Sequence, residues 1–228
     1  MSHILLVRHG QNEWVSKKRL AGWTPAVHLD EQGKDEVSRL AERLAHLPIR
    51  AIYSSPLERC LETAAVIASP LKLETIELED IGEVRYGKWE GKKIKKLAKK
   101  RSWFAVQHYP SRFRFPNGEA LRYVQQRAVD AIETLAHRHD KEMIVVVSHA
   151  DVIKLLLAHY LGMHIDLFQR IGLSPASVSV LALSENGPVR ILRMNDSGPI
   201  KSPEKHEKKE SALSENDGEL TESSENAG

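Results

Sequence analysis

Leu6-Val7-Arg8-His9-Gly10 joins a short apolar run to a cation, an imidazole and a glycine. Polar side chains are costly inside a buried strand. Arg8 and His9 therefore belong at the carboxyl end of a strand over residues 4–7, at a sheet rim where ligands bind in open α/β folds. Three further positions share this character: Arg59 in the first turn of a helix, Glu83 in a glycine-bearing loop, and His149 after a second apolar run. Together these residue types form a toolkit for moving a phosphoryl group. A dianionic phosphate needs cations and N–H donors around its oxygens, a nucleophile in line with the leaving oxygen, and an acid that protonates the departing alkoxide. The planar fork of arginine suits the first task and a neutral imidazole the second. Glu83 can supply the acid if the negative charge of the substrate holds it protonated.

Elements that bring such distant residues together can be read from hydrophobic spacing. After the first strand, Val37, Leu40, Ala41 and Leu44 predict a helix over residues 31–46, with Asp30 as N-cap and Pro48 beyond its end. A strand over 51–54 leads through Ser55-Pro56 into a second helix carrying Leu57, Leu61, Ala64, Ala65 and Ala68, with proline at its first position. Residues 73–78 alternate as a half-buried strand does, and a loop with Gly82, Gly87 and Gly91 follows. Residues 92–101 predict a helix with Ile94, Leu97 and Ala98 on one face and cations on the rest, whereas 103–116 has no clear period. A long amphipathic helix spans 119–138. The most apolar strand, 143–147, ends at Ser148-His149, and a helix begins at Asp151, so the opening layout is repeated. Strands over 177–183 and 189–194 form an antiparallel pair around an Asn186-Gly187 turn. Such alternation predicts an α/β fold, a three-layer α/β/α sandwich with a mostly parallel central sheet.

A chain of 228 residues can bury one generous core. Residues 197–228 hold 4 of the 33 Lys and Arg and 8 of the 31 Asp and Glu, leaving 29 cations and 23 anions, a net +6, on the first 196. The basic body favours anionic partners. The polar, acidic tail offers Ile200, Leu213 and Leu220 as its large apolar residues, too few to fold, and is expected to be disordered. One cysteine, Cys60, forms no internal disulfide, which makes the cytoplasm the default compartment. Neither a signal peptide nor a membrane span is expected, since His149, Asp151 and Lys154 interrupt the apolar run at 143–163.

Five motifs stand in order: Leu-Val-Arg-His-Gly-Gln at 6–11, Ser-Ser-Pro-Leu-Glu-Arg-Cys-Leu-Glu-Thr-Ala at 54–64, Gly-Glu-Val-Arg-Tyr-Gly-Lys-Trp-Glu-Gly at 82–91, Pro-Asn-Gly-Glu at 116–119 and Val-Ser-His at 147–149. Over about residues 3–196 this set resembles the histidine phosphatase superfamily, in its phosphoglycerate mutase-like branch. The resemblance implies that His9 becomes a phosphohistidine, that Arg8, Arg59 and His149 hold the phosphate, and that Glu83 donates a proton and later activates water. Asn12 and Ala150 join Arg8, Arg59 and His149 as substrate-binding residues, and no metal is implied. The catalytic domain would then be residues 1–196, with 197–228 as the tail.

Phosphatases of this kind give the phosphoryl group to water, and mutases give it to a second substrate hydroxyl. Gln11-Asn12-Glu13-Trp14 and Gly22-Trp23 look like the mutase opening, whereas residues 87–91 look like the phosphatases. Val15 stands where both groups often have asparagine, Val84 where mutases carry arginine, and only 27 positions separate Gly91 from Gly118, too few for the mutase insert. A metal-independent phosphatase acting on small phosphate monoesters is therefore favoured over a phosphomutase, which alone would call for 2,3-bisphosphoglycerate. Ala150 and Lys154 depart from a usual glycine and arginine, and Asp151, left outside the core site, either caps a helix or points inward, where it would orient His149 or repel a substrate phosphate. From a different class, residues 92–101 raise a nucleic-acid or anionic-surface binder. No helix-turn-helix or zinc pattern accompanies the charges, so nucleic acid is not an expected partner.

Overall fold

The computed structural model describes residues 1–184 and 187–198. Its apolar runs form a six-stranded sheet in the order β3-β2-β4-β1-β5-β6. β1 (Ser2–Arg8), β2 (Ile49–Ser54), β3 (Thr75–Glu77) and β4 (Met143–Ser148) are parallel, β5 (Val178–Leu183) adds antiparallel to β1, and β6 (Arg190–Asp196) adds antiparallel to β5. The helices are α1 (Glu13–Ser16), α2 (Glu31–Leu44), α3 (Glu58–Leu71), α4 (Ile94–Leu97), α5 (Arg101–His108), α6 (Leu121–Arg138) and α7 (Ala150–Tyr160).

Alternate residues of β1 serve two cores. Leu5 and Val7 belong to the one shared with Val37 and Leu40 of α2 and Ile67 of α3, while Ile4 and Leu6 belong to the one shared with Val124 of α6 and Leu156 of α7. Burial on both faces explains why these strands read as unbroken apolar runs. β1 and β4 are neighbours, yet the chain leaves β1 for the α2 face and β4 for the α7 face. Such a reversal opens a crevice at the carboxyl ends of the two strands, the usual ligand position in this architecture. Arg8 lies opposite Ser148 in the ladder, so His9 and His149, each the next residue, meet at that crevice. The chain leaves β1 pressed against α2: a Cβ on Gly10 would meet Val37 Cγ2 at 2.7 Å, and one on Gly33 would lie 2.0 Å from the Gln11 carbonyl oxygen.

Several boundaries move. Asp30 does cap α2, accepting from the Gly33 amide at 2.8 Å, but the helix ends at Leu44. Pro56 is not the first residue of α3: Leu57 is extended and its carbonyl accepts from the Cys60 amide, which makes Leu57 the N-cap and Glu58 the first helical residue. α6 likewise begins at Leu121. Residues 92–101 are not one helix. Ile94 and Leu97 anchor a single turn, the crowd of lysines gives no support for extending it, and Lys100 is extended at the start of α5. The aperiodic stretch after it is an aromatic cluster in which Trp103 stacks on Trp89 at 6.0 Å and Phe113 and Phe115 pack around Trp89. Asn186 of the expected turn and the tail from Pro199 onward lie outside the described residues, among which no helix is long and apolar enough to cross a membrane.

Candidate active site

His9 is buried at the end of β1, its amide donating to the Ser148 carbonyl at 3.0 Å. Its Nδ1 lies 2.8 Å from the Gly10 carbonyl oxygen. A carbonyl can only accept, so the proton sits on Nδ1 and Nε2 keeps its lone pair. Burial, reinforced by the charges of Arg59 and Arg8, holds the imidazole pKa well below its ordinary value. The ring is therefore neutral at physiological pH, the form a nucleophile requires.

His9 shares a cavity of about 210 Å³ with Arg8, Asn12, Arg59, Glu83 and Ala150. Arg8 is anchored by Nη1 to the Leu173 carbonyl at 2.7 Å, and Arg59 by Nη2 to the Gly22 carbonyl at 2.9 Å. Asn12 caps α1, its Oδ1 accepting from the amides of Trp14 and Val15. These bonds fix each side chain and leave part of it unused. Among the described residues, five buried side-chain nitrogens or oxygens lack a hydrogen-bond partner, and three of them are Arg8 Nε, Asn12 Nδ2 and Arg59 Nη1. A buried polar atom without a partner is costly. Three orphaned donors around one cavity, two of them on guanidinium groups, describe a receptor for an anion.

His149 is fully buried behind this wall, its ring edge-on to His9 at a centroid distance of 5.3 Å. Arg59 Nη2 donates to its Nδ1 at 3.3 Å, and its Nε2 lies 2.8 Å from Ser55 Oγ. Burial and then the Arg59 charge hold its pKa well below the ordinary value, so this imidazole is also neutral. Cys60 packs beside it, with a thiol that burial pushes up to about 12, and stays protonated as a core residue.

Glu83 completes the set, with Oε1 accepting from the Val84 amide at 2.9 Å and Oε2 3.8 Å from His149 Nδ1. Its pKa is raised to about 7 by burial and then by the charge of Asp151, against the pull of Arg59 and Arg8. The loop that presents it is braced from outside. Trp23 Nε1 and Arg127 Nη2 both donate to the Glu83 carbonyl, and Arg127 is paired with Glu119 of the Pro-Asn-Gly-Glu motif at 3.1 Å. Trp23, with Arg85 over its ring, thus belongs to the support of this loop, while Trp14 lines the cavity beneath Arg19.

All five residues singled out for chemistry therefore converge, although His149 stands one layer behind the cavity wall. Of its two alternatives Asp151 takes the inward one: it lines the cavity and accepts a hydrogen bond from the Tyr86 hydroxyl at 2.8 Å. Tyr86 and Ser55 went unrecognised, and their only sequence signal is membership of the motifs at 82–91 and 54–64. Ile94, Lys18 and Arg19 complete the outer wall.

The sequence pattern of the histidine phosphatase superfamily (branch 1) matches residues 4–197. Phosphoserine phosphatase 1 of Hydrogenobacter thermophilus is 33% identical over 200 residues, covering 86% of this chain and 92% of that protein. The metal-independent phosphoserine phosphatase of Arabidopsis thaliana is 32% identical over 162 residues, 68% of this chain and 67% of that one. Among solved structures, Bacillus stearothermophilus YhfR matches with a TM-score of 0.80 and 27% identity over 86% of this chain and 98% of its own. Pattern, relatives and fold agree, and the chain belongs to the histidine phosphatase superfamily.

Proposed function

We propose that the protein hydrolyses small phosphate monoesters through a phosphohistidine on His9, without a metal. The observation that carries this reading is three unpartnered donors, Arg8 Nε, Asn12 Nδ2 and Arg59 Nη1, on residues that line one cavity with an imidazole whose Nε2 lone pair is free. The arginines supply the positive charge that a metal gives elsewhere. Nε2 attacks phosphorus, the ester P–O bond breaks, and the departing oxygen takes the proton of Glu83. In the second half, ionised Glu83 takes a proton from water, the water oxygen attacks phosphorus, and the P–N electron pair returns to Nε2 as inorganic phosphate leaves. Ser55 can donate or accept at His149 Nε2. With Nδ1 accepting from Arg59 Nη2, the proton of His149 sits on Nε2 and is donated to Ser55 Oγ, and His149 acts on the phosphoryl oxygens by holding Arg59 in place. In the same reading residues 1–196 are the catalytic domain, 197–228 a tail outside the chemistry, and the cytoplasm the compartment.

A screen of phosphate monoesters that includes 3-phosphoglycerate, with and without 2,3-bisphosphoglycerate, separates hydrolase from mutase. Free phosphate without the bisphosphate is expected. An isomerised phosphoglycerate that forms only with it would assign the mutase alternative instead. Arg59→Lys is expected to lower kcat/KM on the order of 10²-fold, because Arg59 holds the Gly22 carbonyl and His149 through Nη2 and presents Nη1 separately, whereas the donors of an ammonium all radiate from one nitrogen. Near-normal kinetics in that variant would remove Arg59 from phosphate binding.

A further inference from the structure

Asp151 places a carboxylate in a cavity otherwise built to receive a dianion. Acidic residues in the first turn of a helix are ordinarily solvated partners of the helix dipole. Here Oδ2 instead accepts from Tyr86 of a different segment at 2.8 Å, and the side chain is only 21% exposed. Oδ1 has Lys154 Nζ at 3.4 Å, and that ammonium is shared with Gln169 Oε1 at 3.2 Å. A carboxylate has about four acceptor positions, so one short bond and one long one leave capacity unused. The ion pair with Lys154 offsets part of its charge, and what remains opposes phosphate binding. A ligand that carries its own cation beside the phosphate turns this repulsion into attraction.

We infer that Asp151 is a specificity-determining residue that receives the ammonium group of a phosphate ester whose alcohol part bears an amine. The inference rests on the phosphatase reading above. Glu83 does not compete for that role, because it keeps its proton to about neutrality. Tyr86, itself a lining residue of the cavity, holds Oδ2 in place, and Oδ1, with Lys154 at 3.4 Å, keeps acceptor capacity for the ligand.

O-phosphoserine and 3-phosphoglycerate share one carbon skeleton and differ in an ammonium against a hydroxyl, so their kcat/KM ratio isolates the cation. The wild-type enzyme is expected to favour phosphoserine by about tenfold to a hundredfold, the range of one charge-assisted hydrogen bond. Asp151→Asn should bring the ratio close to one, whatever common factor changes both rates. A wild-type ratio near one, or a preference that survives in Asp151→Asn, overturns the inference. Should that variant fail to fold, phosphoethanolamine against 2-hydroxyethyl phosphate in the wild type decides: preference for the amine upholds the role, and equal rates refute it. Failure of the parent reading is distinct, since then none of the four esters releases phosphate and the inference falls with it.

Discussion

His9→Ala is expected to lower the turnover of alkyl phosphate esters by on the order of 10⁴-fold or more. The neighbouring groups can still bind the phosphate, but no other side chain in the cavity offers an equivalent nucleophile. His149 is neutral but lies behind the wall with both ring nitrogens engaged, Ser55 is committed to it, and the Cys60 thiol stays protonated. The loss should therefore fall on kcat, with substrate binding largely kept, because Arg8, Arg59 and Asn12 are each anchored independently of the His9 ring. Single-turnover kinetics and direct ligand binding check this division. A variant that retains more than about a hundredth of the wild-type rate would show that phosphate reaches water by a route that avoids His9.

Glu83→Gln should remove about 10²-fold to 10⁴-fold from the hydrolysis of esters with poor leaving groups, the usual worth of a positioned acid, and far less from an activated aryl phosphate. The pH dependence sharpens the test. Burial and the Asp151 charge raise Glu83 to about 7, which means the proton needed by the departing oxygen is present below that value and lost above it. For alkyl esters, kcat/KM should fall as pH rises through about 7, and Glu83→Gln should lack this limb. Stability responds with the opposite benefit. A raised carboxyl pKa leaves the fold unpenalised below the ordinary glutamate value and increasingly burdened as pH rises toward about 7. Glu83→Gln should consequently melt at or above the wild-type temperature at pH 8, with the gain absent at pH 4. Equal losses on alkyl and aryl esters, or an alkaline limb unchanged in the variant, would take the acid role away from Glu83.

The features legible in the sequence are those set by local physics. An apolar run that stops at Arg8-His9 marks a strand end because buried strands exclude such side chains, and the same logic located His149. The cap at Asp30 and the repeat of α6 are short-range patterns and survived with shifts of a few residues. What escaped depends on partners far away in the chain. The break after Leu97 reflects where the core can accept a side chain, not the spacing of the lysines. Asp151 has the type and position of a helix cap. Its orientation toward Tyr86, 65 residues away in sequence, exists only once α7 packs against the Glu83 loop. The support of Glu83 through Trp23 and Arg127 is equally non-local, although each partner was visible as part of a motif or helix.

The central claim is that the phosphoryl group passes through His9, and its most direct measurement is the labelled intermediate. Enzyme mixed with a labelled phosphate ester and quenched at alkaline pH, where phosphohistidine survives, is expected to carry the label on Nε2 of His9. Nδ1 is excluded as the site because its proton is committed to the Gly10 carbonyl. Peptide mapping and the phosphorus resonance of the adduct distinguish the two nitrogens, and His9→Ala should carry no label. Label on Nδ1, on another residue, or undiminished in His9→Ala would contradict the account.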